Sequence, residues 1–438
     1  MSIKIIQTKS LPKSFFEPRT FTDNTTDIVQ QIISQVKTEG DAALHKISAK
    51  FDSATPEFFE ISKSDLSFAE EKLKKEKPEL YKALCYSRDL ALKFAKRQRK
   101  SFDDFEEELE PGLFTGQKNI PVDRAGLYVP AGRFPLLSTV IMTSAPAIAA
   151  GCQEVILCTP PRQHPKGTKQ PYADEGILAT ASLCGIKRVF ACGGAQAIAA
   201  MSYGTESIPR CDVIVGPGNK YVAEAKRQVY GTVGIDMLAG PTEVFIIADK
   251  TSNPKWVAAD MLAQAAHDPD AQAILATPDI HVAEDVALEL EKQLKTLATA
   301  ETACKSLDKN GYIIITESLE EAALLANQKA PEHLELALEP GKDMELLKSI
   351  VHNYGSLFIG HGAAEVLGDY AAGLNHTLPT STSARFTGGL SVRCFLKTVT
   401  TLRTEKDSSG PIESAKAASL IGDAEGLAGH ANAARVRL

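Results

Sequence analysis

Hydrophobic positions change their rhythm along the chain, and the change divides it. Over the first ~110 residues the apolar spacing is helical. Ile28, Val29, Ile32, Ile33 and Val36 form one stripe, with Thr25 or Thr26 placed to cap its start and Gly40 its end. A second, charged helical stretch runs from about Ser64 to Arg99, and the acidic residues 103–111 read as a boundary. From about residue 120, short apolar runs at 126–129, 154–158, 188–191, 212–215, 244–248, 271–276, 311–315 and 356–359 alternate with Ala-rich helical segments at 177–183, 195–203, 258–267 and 282–297. Strand–helix alternation of this kind predicts an α/β fold with largely parallel sheets. Such strands close into one barrel or lie in two half-sheets, and the Gly240-Pro241 turn in mid-series favours the second. Past Leu390 the pattern is helical and polar, with a loose loop at 406–411. No low-complexity segment and no convincing repeat is visible.

Composition narrows the class. A chain of 438 residues is too long for one ordinary core, so two or more domains are expected. The net charge, 48 − 55 = −7, offers no footprint for nucleic acid or an anionic membrane. No apolar run reaches the roughly 18–20 residues of a bilayer span, and residues 1–10 lack the apolar core of a signal peptide. A soluble, cytoplasmic protein is the expectation. The eight cysteines include no CxxC pair, and several sit in apolar runs, which reads as buried small hydrophobes.

Five polar constellations interrupt these patterns, and each has an ordinary reading beside a chemical one. Gly193-Gly194-Ala195-Gln196 and Gly216-Pro217-Gly218-Asn219 each follow a strand. Glycine there lets backbone approach a phosphate at a helix N-terminus, although the spacing is not GxGxxG and equally suits plain strand-to-helix turns. Gln264 and His267, at i and i+3, share a helix face and can grip a metal, or His267 is simply a capping residue before Asp268-Pro269. Asp369 and His376 flank the flexible 371–373 loop and can converge on a metal or substrate, or make an Asx-type turn. Glu332-His333 offers two groups of different pKa for stepwise proton transfer, or a helix start with Pro331 at its first position. Glu425 and His430 lie near the C-terminus, where a lone histidine is usually just solvated.

Taken together and in order, these runs resemble histidinol dehydrogenase. The matching text includes Gly126-Leu127-Tyr128-Val129-Pro130, residues 193–200, 215–219, 236–244 and 264–269. It continues with 330–336, 368–370, 375–380 and His430-Ala431-Asn432-Ala433, with Gly40-Asp41-Ala42-Ala43-Leu44 and Lys50-Phe51-Asp52 upstream. The resemblance covers nearly the whole chain. It implies two incomplete Rossmann-like domains with smaller helical N- and C-terminal parts, in an intertwined homodimer. The parts are expected at 1–110, at 111–240 on the NAD side, at 241–385 with the zinc and catalytic residues, and at 386–438, an arm reaching the partner subunit's site.

The resemblance further implies one zinc per subunit held by Gln264, His267, Asp369 and His430, the last supplied across the dimer. It implies oxidation of L-histidinol through L-histidinaldehyde to L-histidine, with two NAD reduced in turn. His333 resembles the general base and Glu332 the residue that activates water for the second oxidation. Tyr128, Gln196 and Asn219 match NAD-contacting positions. Thr242, His376 and Glu425 join His333 and the four zinc ligands around the substrate.

Departures from the family pattern are few. Thr242 stands where Ser is commoner, Ala131 replaces a common Gly, Leu374 replaces a common Pro or Thr, and residues 404–417 match poorly. A dehydrogenase of another small polar alcohol, a zinc hydrolase using Glu332 as base, and a non-catalytic binding protein are the competing readings of the same residues.

Overall fold

The computed structural model describes residues 3–18, 24–132 and 134–438. Its strands, in chain order, are β1 (Lys4–Gln7), β2 (Phe105–Glu110), β3 (Leu113–Pro121), β4 (Arg124–Tyr128), β5 (Glu154–Thr159), β6 (Arg188–Ala191) and β7 (Val213–Val215). They continue with β8 (Gly234–Ile235), β9 (Glu243–Ala248), β10 (Gln272–Thr277), β11 (Tyr312–Ile315), β12 (His333–Ala337), β13 (Ser356–Ile359) and β14 (Leu396–Thr404). There is no barrel. One parallel sheet has the order β6-β5-β4-β7-β8, and a second has β1-β11-β10-β9-β12-β13. Counting strands within each sheet, both follow the 3-2-1-4-5 order of a doubly wound Rossmann-like unit, and the second adds β1 at its edge.

Every position of β9 and β10 is buried, as expected for strands covered by helices on both faces. The core is aliphatic and Ala-rich, in four clusters that line the two faces of each sheet. The N-terminal stripe behaves as its period requires. Val29, Ile33 and Val36 of the helix Thr25–Glu39 pack on the helices Gly194–Tyr203 and Lys220–Val229, and Gly40 ends it with φ +55°. Thr25 lies inside that helix, after Asn24, whose own side chain makes no capping hydrogen bond. The charged stretch is two helices, Lys63–Glu76 and Pro78–Arg99, because Pro78 cannot continue the first.

Three segments differ from the sequence reading. The acidic residues 103–111 contain strand β2, so the N-terminal region is not wholly helical. Residues after Leu390 contain the nine-residue β14, which pairs antiparallel with β3. Its Thr-rich, polar sequence has β-branched propensity without the alternation that marks a half-buried strand. Residues 333–337 are a buried strand, not a helix start behind Pro331. All eight cysteines are free, and Cys158, Cys184, Cys192 and Cys211 are buried. Among the described residues, no helix is long and apolar enough to cross a membrane.

Candidate active site

The first sheet opens its carboxyl end onto a cavity of about 1060 Å³. This is the switch point between β4 and β7, where the order of a doubly wound sheet reverses and ligands bind. Tyr128 ends β4, and its hydroxyl accepts the Gly194 N–H at 3.1 Å. Gly216 follows β7 at φ +121°, and a Cβ there would meet the Tyr128 carbonyl oxygen at 2.1 Å. Only glycine allows that approach, so the Gly216-Pro217-Gly218 turn has a stronger reason than generic turn chemistry. Asn219 caps the helix Lys220–Val229, its Oδ1 accepting from the N–H of Tyr221 (3.0 Å) and Val222 (3.2 Å). Gln196 donates from Nε2 to Asp52 Oδ2 at 3.4 Å. Tyr128, Gln196 and Asn219 therefore line one cavity, whose lining also includes His267 and Asp268.

The second sheet presents its opposite, amino end. Glu332 precedes β12 and Thr242 precedes the neighbouring β9. Glu332 Oε2 accepts the Thr242 hydroxyl at 2.6 Å and the Glu243 N–H at 2.9 Å. His333 Nδ1 lies 2.9 Å from the Glu243 carbonyl oxygen. A carbonyl only accepts, so Nδ1–H donates, and Nε2 is left as the basic nitrogen. That Nε2 is enclosed without a hydrogen-bond partner and faces Asp369 Oδ1 at 3.8 Å.

Gln264 comes from the helix Pro254–Ala265, and His267 sits two residues past its end. Gln264 Nε2 donates to Glu365 Oε2 at 3.2 Å and lies 2.9 Å from His333 Nδ1. Asp369 comes from the short helix Glu365–Tyr370. His376 follows the loop, where Asn375 Oδ1 does accept the Thr377 N–H in an Asx turn, and its Nε2 is enclosed and unpartnered.

The electrostatics follow from burial among carboxylates. Burial pushes Glu332 up to about 7, although His333, Thr242 and the Glu243 N–H pull it down. Burial alone would lower His333, but the charges of Glu332, Asp369 and Glu365 outweigh it and push the ring up to about 10. His267 and His376 are held below the ordinary imidazole value by burial, against the pull of Asp369. Asp369 itself stays below the usual carboxylate range, because His333, His376 and His267 outweigh its desolvation.

Sequence reasoning missed three buried acids behind this cluster. Asp260, Glu335 and Glu365 are all raised, primarily by burial, with Asp260 at about 6. The one available signal was spacing: Asp260 is four residues before Gln264 on one helix, and Glu335 is two after His333 on one strand.

A cation fits these donors. A neutral imidazole, an ionised carboxylate, an amide oxygen and two unpartnered ring nitrogens suit a borderline metal such as zinc. The set within one chain is nevertheless partial. No group of three or more His, Cys, Asp or Glu at ligand spacing occurs among the described residues. Gln264, His267, His333, Asp369 and His376 are brought together, whereas Glu425 and His430 are not. Both are exposed on the C-terminal helices, Ser409–Ala424 and Ala428–Arg435, which pack chiefly on each other and on β2.

The sequence profile of histidinol dehydrogenase matches residues 17–438. Histidinol dehydrogenase of Thermus thermophilus is 44% identical over 425 residues, covering 95% of each chain. That of a Synechococcus strain is 44% identical over 413 residues, covering 93% of this chain and 91% of its own. The crystal structure of histidinol dehydrogenase from Elizabethkingia anophelis superposes with a TM-score of 0.90 at 35% identity, covering 99% of this chain and 98% of that one.

Proposed function

The chain belongs to the histidinol dehydrogenase family, and on that premise we propose how the residues of this cleft divide the work. It is an NAD-dependent oxidoreductase that acts on an alcohol and then an aldehyde, taking L-histidinol to L-histidine at the end of histidine biosynthesis. One observation carries the assignment of roles. His333, its Nδ1 tied to a backbone carbonyl and its Nε2 without a hydrogen-bond partner, faces Asp369 at 3.8 Å near His267, which lines the cavity with Tyr128, Gln196 and Asn219.

Tyr128, Gln196 and Asn219, at the carboxyl end of the first sheet, would hold NAD in the cavity they line together with His267. The substrate sits among Thr242, Gln264, His267, His333, Asp369 and His376. Once a bound cation offsets the carboxylates that hold its ring protonated, His333 Nε2 would take the alcohol proton as hydride passes to NAD, which leaves the aldehyde. Glu332 then takes a proton from the water that adds to the aldehyde carbon. The resulting hydrate, as its alkoxide RCH(OH)O−, gives its hydride to a second NAD and becomes the carboxylic acid, the proton taken from water remaining on Glu332. A positioned base of either kind contributes about 10²–10⁴-fold. Thr242 and the Glu243 N–H keep Glu332 in place for that second step.

Gln264, His267 and Asp369 hold one zinc ion per subunit in this reading, with His430 of a second copy as the fourth ligand and Glu425 beside it. Zinc, when bound, anchors the substrate and offsets the carboxylate charge that raises His333. A homodimer whose C-terminal arms exchange is supported by the exposed apolar side chains of that arm: Leu402, Leu420, Ile421, Leu427, Val436 and Leu438. Eight free cysteines suit a reducing cytoplasm.

The test is NADH formation from L-histidinol with and without chelator. Two NADH per histidinol, lost on chelation and restored by zinc, is the expected result. NADH formation that survives complete zinc removal removes the metal from the reading.

A further inference from the structure

Lys226 and Asp236 form an ion pair buried at both ends, with side-chain exposures of 3% and 0%. Such a pair is weak evidence for stability, because desolvation offsets most of the attraction. Its connections show what it holds instead. The Lys226 ammonium donates to the Gly216 carbonyl oxygen at 3.0 Å. Asp236 Oδ2 accepts the Gly216 N–H at 2.8 Å, and Oδ1 accepts the Met237 N–H at 2.7 Å. Both polar groups of Gly216 are thus clamped by one pair of charges, at the glycine that meets the Tyr128 carbonyl and opens the 216–219 turn of the cofactor cavity.

Asp236 also begins the segment 236–242, which leads from β8 to β9 and so from one sheet to the other. Gly240 N–H donates to Thr380 Oγ1 in mid-segment at 2.5 Å. Thr242, at its end, donates to Glu332. One seven-residue tie therefore has a carboxylate fastened to the cofactor turn at one end and a hydroxyl fastened to the catalytic carboxylate at the other.

We propose that Lys226 and Asp236 are positioning residues that set the cofactor turn against the catalytic strand, and so fix the distance over which hydride passes. The proposal rests on the reading of the 216–219 turn as part of the NAD site. It asks no chemistry of either residue, since neither touches the substrate. A displacement of about 1 Å between reacting groups costs on the order of 10²-fold in rate, so a clamp on the turn acts on the chemical step.

The double variant K226M/D236N removes both charges and strands neither. It is assayed as zinc-loaded full-length enzyme for NAD dissociation constant, histidinol KM, kcat and the deuterium isotope effect with carbinol-deuterated histidinol. The expected result is a kcat lowered on the order of ten- to a hundredfold, weaker NAD binding, a larger isotope effect and an unchanged histidinol KM. A lowered melting temperature with NAD binding, kcat and isotope effect all unchanged overturns the proposal, since a merely structural pair gives that pattern. D236N alone, which keeps an acceptor for the Gly216 N–H, serves if the double variant does not fold. Gln196→Ala separates the two readings. Weakened NAD binding in Gln196→Ala beside an unaffected pair variant sinks the clamp alone, whereas unaltered NAD binding in both variants sinks the cofactor cavity and the clamp with it.

Discussion

The Thr242 hydroxyl donates to Glu332 Oε2 at 2.6 Å, joining the residue before β9 to the residue before β12. A hydrogen bond to a carboxylate favours its ionised form, so this contact works against the burial that pushes Glu332 up to about 7. Glu332 acts as a base only when ionised. Oxidation of histidinaldehyde should therefore fall as pH drops through about 7. Thr242→Val removes one stabilising donor, raises the carboxyl further and moves the rising limb to higher pH by about one unit. Thr242→Ser should leave it in place. Initial rates with histidinaldehyde against pH check this, and a limb that stays put in Thr242→Val counts against the assignment.

His333→Asn keeps a polar side chain without a titratable ring. Turnover of histidinol should fall by about 10²–10⁴-fold, while NAD, assigned in this reading to the other sheet, should keep its affinity. Steady-state kinetics with a separate titration of NAD binding decide it, and a variant of unchanged turnover removes His333 from the base role.

These two residues also show what the sequence made legible. The runs at 154–158 and 244–248 could be read because their strands are apolar on both faces, and periodicity reports apolar burial directly. Strand β12 could not, because His333 and Glu335 are polar residues turned into the protein. A strand that carries chemistry breaks the pattern by which strands are found. Gln264 and His267 were visible as an i, i+3 pair. Their meeting with Asp369 and His376 depends on parallel crossovers, which no local spacing encodes. Glu365 had no signal to separate it from a surface acid, and Asp260 had only its i, i+4 spacing from Gln264. Family resemblance, rather than periodicity, carried the ligand set.

Gly216→Ala tests the switch point physically. The added methyl meets the Tyr128 carbonyl oxygen at 2.1 Å, and φ +121° is unfavourable for any side chain. Strain of this kind costs about 1–3 kcal/mol, so the melting temperature should drop. NAD binding should weaken, because the 216–219 turn must shift. Gly231→Ala is the control. Its φ of +97° carries similar backbone strain, but nothing lies within 4 Å of its Cβ and it is away from the cavity. It should lose stability alone. Calorimetry and NAD titration on the two variants separate the effects, and equal NAD affinities in both would falsify the role given to the turn.

The exposed C-terminal arm makes the strongest demand on the proposal, which has His430 complete a site only in a second copy. His333→Asn and His430→Asn should each be inactive as homodimers. In a mixed dimer one site carries both substitutions and the other carries neither, since each site takes His333 from one chain and His430 from its partner. Random pairing makes half the dimers mixed, and half of their sites are whole, so co-refolding equal amounts should restore about a quarter of the activity. If His430 served its own chain, every site in every pairing would carry one substitution and no activity would return. Zinc content is the same in either arrangement, about half that of the wild type if His430→Asn sites bind none, so the recovered activity is what discriminates. Recovery of activity therefore locates the arm across the dimer, and its absence returns His430 to the solvated surface on which this single chain displays it.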